Sequence, residues 1–121
     1  MSSENNFKGF GDSLINFLYS LAKSRATKEW TGDKVSNFVL SQAQIASDLV
    51  QPGGLDKHEK GDYVEGYIAK AWIDGVITSD EAVNVLVSVL KGYDLEEEEQ
   101  DAMVEAFREL LNYIHGKGVK F

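Results

Sequence analysis

The chain contains no cysteine, a single proline and only two histidines. Without cysteine there are no disulfides, no thiolate zinc sites and no cysteine nucleophile, while the redox compartment stays undetermined. No apolar run approaches the roughly 20 residues that a membrane-spanning helix needs. The start, Met1-Ser2-Ser3-Glu4-Asn5-Asn6, has no basic segment followed by an apolar one, so no signal peptide is read there. A cytoplasmic protein without membrane association is the expectation. No segment alternates apolar and polar residues at a period of two, and no internal repeat, nucleophile triad, phosphate loop or zinc pattern occurs.

What is present is helical periodicity. The 121 residues, 43 % of them hydrophobic, fit one domain spanning 1–121 with residues 1–6 flexible, and the fold class expected is all-α with about five or six helices. In the first helix Phe7, Phe10, Leu14, Phe17 or Leu18, and Leu21 form the apolar stripe, to about Lys23. It tolerates Gly9 and Gly11, each costing about 1 kcal/mol relative to alanine in a helix interior, which close packing or function should offset. A connection over 24–32 follows. A second helix is predicted over 33–49, with Asp33 or Ser36 as cap and Val35, Phe38, Val39, Gln42, Ile45, Ala46 and Leu49 at helical spacing.

Gln51-Pro52-Gly53-Gly54 ends that helix and opens a polar loop over 55–61. Val64, Tyr67, Ile68, Ala71 and Trp72 mark a third helix over 62–73, with Asp62 and Glu65 on its other face. Thr78-Ser79-Asp80-Glu81 is a capping-box pattern ahead of a fourth helix. Asp94 caps a fifth, in which Met103, Phe107, Leu110, Leu111 and Ile114 alternate with acids up to Gly116.

The formal charge of −8 argues against a polyanionic partner, yet residues 94–109 alone carry −7, the last twelve residues +2 and residues 1–93 only −3. The acidity is mostly one helix. That run reads either as an interaction surface or, as the helix dipole favours, as a solvated face with acids near its positive end.

Three carboxylates, Asp12, Asp62 and Glu65, stand early in otherwise apolar helices. Asp62 and Glu65, three apart, project from one helix face. If Asp12 approaches them, a cation is required, because clustered carboxylates do not all stay ionised without one, and hard oxygen ligands suit Mg²⁺ or Mn²⁺. The competing explanation is acids placed beside helix dipoles. Asn16, one turn after Asp12, either orients that carboxylate or makes a local helix-surface bond. Lys23, Arg25, Lys28, Lys57, His58 and Lys60 are candidate phosphate contacts. Trp30, Trp72, Tyr67 and Tyr93 are the aromatics available for stacking, with Trp72 and Tyr67 better read as core.

Two blocks resemble the ribonuclease III family. Phe10-Gly11-Asp12-Ser13-Leu14-Ile15-Asn16-Phe17 is similar to the signature helix E-x-x-E-F-L-G-D-A-V-L-N-L. Lys60-Gly61-Asp62-Tyr63-Val64-Glu65-Gly66-Tyr67-Ile68-Ala69-Lys70-Ala71-Trp72-Ile73-Asp74-Gly75 is similar to K-x-x-D-x-x-E-A-x-I-G-A-x-Y-L-D-G. The resemblance covers nearly the whole chain and implies a stand-alone catalytic-type domain without the double-stranded RNA-binding domain. It implies a Mg²⁺-dependent (or Mn²⁺-dependent) homodimeric endonuclease that cuts double-stranded or structured RNA and leaves 5′-phosphate and 3′-hydroxyl ends. Asp12, Asp62 and Glu65 would be metal ligands, with Asp12 and Glu65 the two catalytically essential, and Asn16 would support Asp12.

The resemblance departs from the family at two positions. Where the family has a metal-binding glutamate one turn before the aspartate, this chain has Lys8. A lysine there leaves three outcomes open: it neutralises Asp12, stands in for part of the metal's charge, or abolishes the metal site. The next position, usually a bulky apolar residue packing into the partner subunit, is Gly9, with Phe7 or Phe10 as substitutes. Two other classes compete: a non-catalytic dimeric RNA-binding or ribonucleoprotein module, and a helical module whose acidic last helix meets a basic protein.

Overall fold

The computed structural model describes residues 4–50, 53, 54 and 57–121, with side chains at 4–8, 57 and 58 excluded. Readings that fall on residues 1–3 and on Gln51, Pro52, Leu55 and Asp56, and on the side chains of Phe7, Lys8, Lys57 and His58, lie outside what is described. Five helices and no strand are present among the described residues: α1 (Glu4–Thr27), α2 (Asn37–Ala46), α3 (Lys57–Ile73), α4 (Ser79–Leu90) and α5 (Leu95–Gly116). Each helix has two principal neighbours, and together they close a ring in the order α1, α3, α2, α5, α4. No helix is long and apolar enough to cross a membrane among these residues.

Inside the ring lies one core to which every helix contributes. Leu18, Tyr19, Leu40, Ile68, Leu86, Phe107, Leu110, Leu111 and Ile114 are fully buried there, and the Tyr19 and Phe107 rings stand 6.3 Å apart. The stripes expected for α3 and α5 are the ones that face it. The stripe expected for α1 is rotated: α1 buries Leu14, Ile15, Leu18, Tyr19 and Ala22, and leaves Phe10 and Phe17 exposed. Phe10 and Phe17 belong to the outer face of this helix, whereas Tyr19 belongs to the core.

The second helix is shorter than its periodicity suggests. Ser36 is its N-cap, its hydroxyl accepting from Val39 N, and residues 33–36 and 47–49 are not helical. Val35 and Leu49 are buried from non-helical backbone, while Phe38 (50 % exposed) and Ile45 face solvent. The third helix, conversely, begins at Lys57 and absorbs most of the polar stretch read as a loop. α1 runs past Lys23 to Thr27, where Lys28 takes a left-handed φ of 63° and turns the chain back along the helix it has just left.

At the other end of the ring, the capping box of α4 is closed as its sequence indicates, with Glu81 N–H donating to Thr78 Oγ1 and Thr78 N–H to Glu81 Oε1. The Glu81 carboxylate also accepts from Lys117 Nζ and Tyr113 Oη, both at 2.6 Å. The Lys117 bond first, then those from Tyr113 and the Thr78 backbone, hold its pKa down to about 2. A depressed carboxylate contributes stability above its unfolded-state value and loses it as pH falls through the folded value. The difference in melting temperature between the unmodified chain and Glu81→Gln should therefore hold steady at neutral pH and shrink between about 4.5, the ordinary glutamate value, and about 2. A difference that does not change with pH would show that the carboxylate's charge is not what ties α4 to α5.

Beyond α5 the chain returns to α3. Tyr67 Oη donates to Val119 O at 2.8 Å, Tyr63 Oη donates to Phe121 O, and the Phe121 ring meets Tyr63 and Tyr67 edge-on at 4.9 Å each. Burial pushes the Tyr67 phenol up to about 12.

Candidate functional site

The two carboxylate-bearing helices touch at Gly11. A Cβ there would lie 3.1 Å from the backbone oxygen of Glu65 and 3.3 Å from its Cβ, so this glycine lets α1 sit directly on the α3 backbone. Gly9, by contrast, has open space around it. Asp12, next in sequence to the junction, is exposed, and Glu65 is buried at 3 % exposure. Carboxylates are almost never buried this far unless paired, and Glu65 has interaction partners of its own. One turn away, Phe10 packs on Trp72 at 5.5 Å, and Trp72 Nε1 donates to Ser79 Oγ, which places Trp72 in the packing between helices.

Asp62 is half-buried and receives a hydrogen bond from Asn37 Nδ2 on its Oδ1, at 3.3 Å. Asn37 is the first residue of α2, whose opening turn carries no acid, so the positive end of that helix dipole faces the Asp62 carboxylate unopposed. The contact is tight: a Cβ on Gly61 would come within 2.6 Å of Asn37 Cβ and 2.8 Å of its Cα. Gly61 thus does for α3 and α2 what Gly11 does for α1 and α3.

Asn37 is delivered by an unusual connection. After the turn at Lys28 the chain runs extended and antiparallel to α1, bound to one polar stripe of that helix. Thr31 N donates to Ser24 Oγ at 3.0 Å while Ser24 Oγ donates to Thr31 O. Asp33 N donates to Ser20 Oγ at 2.8 Å while Ser20 Oγ donates to Asp33 O. Val35 N donates to Asn16 Oδ1 at 2.8 Å. Helix positions four apart span about 6 Å and extended positions two apart about 6.6 Å, so the two periods stay in step over three rungs. Asn16, read from sequence as an aid to Asp12, has its oxygen on Val35 and acts as the end rung of this ladder.

The other side of the extended segment is held by charge. Lys23 Nζ lies 3.3 Å from Asp33 and 2.8 Å from Glu99, Tyr19 Oη donates to Glu99 at 2.7 Å, and Thr31 Oγ1 donates to Asp33 Oδ2. Burial works against the Lys23 ammonium, but the bonds to Glu99 and Asp33 outweigh it and raise its pKa. Burial first, then the Glu99 bond, raise that of the Tyr19 phenol. Glu99 is therefore part of the core's edge, while Glu96, Glu97 and Glu98 are exposed as a solvated face requires.

A family model for ribonuclease III matches residues 5–119. The chain belongs to the ribonuclease III family. No match is found among curated proteins. In this family member the glycine before the signature aspartate is Gly11, and its missing side chain is what admits the α3 backbone. Among the described residues no three acidic or histidine side chains stand close enough to hold a metal ion as they are. The helices are brought together; the side chains are not gathered into a cage.

The basic residues singled out from sequence fall at two ends of the molecule. Lys60 is half-buried near Asp62 in α3, whereas Lys23, Arg25 and Lys28 sit at the far end of α1. Arg25 is about 20 Å along that helix from Asp12 and lies 3.9 Å from Asp80. Trp30 stands 91 % exposed beside the Lys28 turn. Sequence reasoning missed Asn37, an unremarkable polar residue at a helix start. The available signal was the stripe Asn16, Ser20, Ser24 at four-residue steps, which needs a partner that a helix alone does not supply.

Proposed function

We propose that the protein is a divalent-metal-dependent endoribonuclease that hydrolyses phosphodiester bonds of double-stranded or structured RNA as a homodimer, leaving 5′-phosphate and 3′-hydroxyl ends. The observation that carries this reading is the family match over residues 5–119, joined to the close Gly11–Glu65 contact beside Asp12. The donor set fits Mg²⁺ or Mn²⁺ in chemistry, since Asp12, Asp62 and Glu65 offer only hard oxygen. These three residues would hold the ion, which supplies activation of water and stabilisation of the charge developing on the leaving oxygen. Glu65, fixed in the α1–α3 junction, sets where the site lies; exposed Asp12 faces the incoming phosphate; Asp62 is held in place by Asn37. Arg25, Lys28 and Lys60 would meet phosphates and position the duplex without reading its sequence. Exposed Phe10 and Phe17, seven residues apart and so on one side of α1, offer the apolar face for a second copy.

Purified protein incubated with duplex RNA and Mg²⁺ should give shorter fragments bearing ligatable 5′-phosphates, and chelation should stop the reaction. Intact RNA under Mg²⁺ and Mn²⁺ alike would overturn the reading. A second reading, a non-catalytic RNA-binding dimer, is favoured by Lys8 standing at the usual glutamate position and by the absence of a preformed cage among the described residues. Activity gained only on Lys8→Glu would decide for it.

A further inference from the structure

We infer that Asn37 is a positioning residue of the carboxylate site, acting through Asp62, and that the ladder on α1 exists to set its place. The inference rests on the endonuclease reading above for its catalytic consequence, but the geometry behind it does not.

Two contacts and the seating of the preceding segment converge on Asn37. Its side-chain amide donates to Asp62 Oδ1 at 3.3 Å. Its backbone and Cβ fill the notch that Gly61 leaves one residue before Asp62, so a larger residue at 61 would expel it. Its position along the chain follows from the ladder, whose rungs pair Thr31 with Ser24, Asp33 with Ser20 and Val35 with Asn16. The last rung, Val35 on Asn16, stands two residues before Asn37 and so anchors the start of α2 where the Asn37 amide meets Asp62.

A neutral amide is the fitting group there. It donates to a carboxylate without cancelling its charge, so Asp62 keeps its full charge as a ligand while its rotamer is held. A lysine would compete with a cation for the same carboxylate, and an aspartate would repel it.

Two measurements test the assignment. In the cleavage assay Asn37→Ala should lower kcat about 10- to 100-fold and raise the Mg²⁺ concentration for half-maximal rate, with the KM for duplex RNA unchanged. Asn37→Asp, of the same size, should do at least as much, because an acceptor then faces Asp62. In an ¹⁵N-resolved NMR titration of the unmodified chain, the Asn37 side-chain amide should shift as Mg²⁺ is added, and Asp62→Asn should abolish the response. An Asn37→Ala protein that cleaves with unchanged kcat and Mg²⁺ dependence overturns the inference, as does an Asn37 amide indifferent to Mg²⁺. Should the unmodified chain bind Mg²⁺ with the expected amide shift yet cut no RNA, the endonuclease reading falls and the assignment of Asn37 stands.

Discussion

Glu65→Gln should lower the rate of duplex RNA cleavage by about 100- to 1,000-fold, the scale of losing a preorganised electrostatic group at a reacting centre. The substitution keeps the shape of a side chain that is 3 % exposed and packed beneath Gly11, while removing its charge and exchanging one acceptor oxygen for a donor NH2. Glu65 has interaction partners of its own, so thermal melts of the variant are needed to separate a loss of chemistry from a loss of fold. Lost activity in a chain that still folds is the signature of a functional acid. Asp12→Asn, on an exposed carboxylate, should lose activity similarly with almost no change in melting temperature, since surface substitutions usually shift stability by within about 0.5 kcal/mol. Single-turnover cleavage of an end-labelled duplex, paired with thermal melts, supplies both numbers. If Glu65→Gln cuts within a few-fold of the parent, the carboxylate is a buried structural acid and the enzymatic proposal loses its centre.

Gly61→Ala should be the most damaging small substitution in α3. The added methyl would stand 2.6 Å from Asn37 Cβ and 2.8 Å from its Cα, and no side-chain rotation moves a Cα. The helices α2 and α3 must part, at about 1–3 kcal/mol for overpacking of this kind. The comparison that isolates this cause is Gly66→Ala, five residues on in the same helix, where nothing lies within 4 Å of the added atom. Alanine's better helix propensity should make Gly66→Ala neutral or stabilising by up to about 1 kcal/mol. Denaturant midpoints of the two variants should therefore move in opposite directions. If Gly61→Ala is as stable as Gly66→Ala, the close fit of α2 onto α3 is not what holds Asn37.

The contrast between these glycines shows what a sequence read by periodicity does and does not reveal. The α3 and α5 stripes and the Thr78–Glu81 capping box are local patterns, and the structure uses them as such. The α1 and α2 stripes went astray because Phe10, Phe17 and Phe38 are large and apolar yet face outward, while the small Ala22 and Ala43 face the core. Counting hydrophobicity by residue type favours the aromatics. Val35 and Leu49 fell at helical spacing by coincidence of register, being buried from non-helical backbone on either side of a shorter helix. Asp12, Asp62 and Glu65 were legible because motif blocks name them, but the burial of Glu65 depends on α1 lying against α3, which neither block encodes. The ring order α1, α3, α2, α5, α4 likewise has no local signature, so pairings such as Tyr19 with Glu99 and Asn37 with Asp62 had to come from the fold.

The extended connection also fixes which changes of length the chain tolerates. Between Thr31 and Val35 every second backbone N–H is claimed by a rung of α1, so one inserted residue would turn Asn37 away from Asp62 and two would move it by a whole rung. Ahead of Thr31 the tie to α1 is local, between Thr27 Oγ1 and the N–H and carbonyl of Glu29 at 3.4 Å each. Lys28, Glu29 and Trp30 make a surface turn that can lengthen without disturbing anything downstream, which makes it the natural point for grafting a peptide, a tag or a second recognition element.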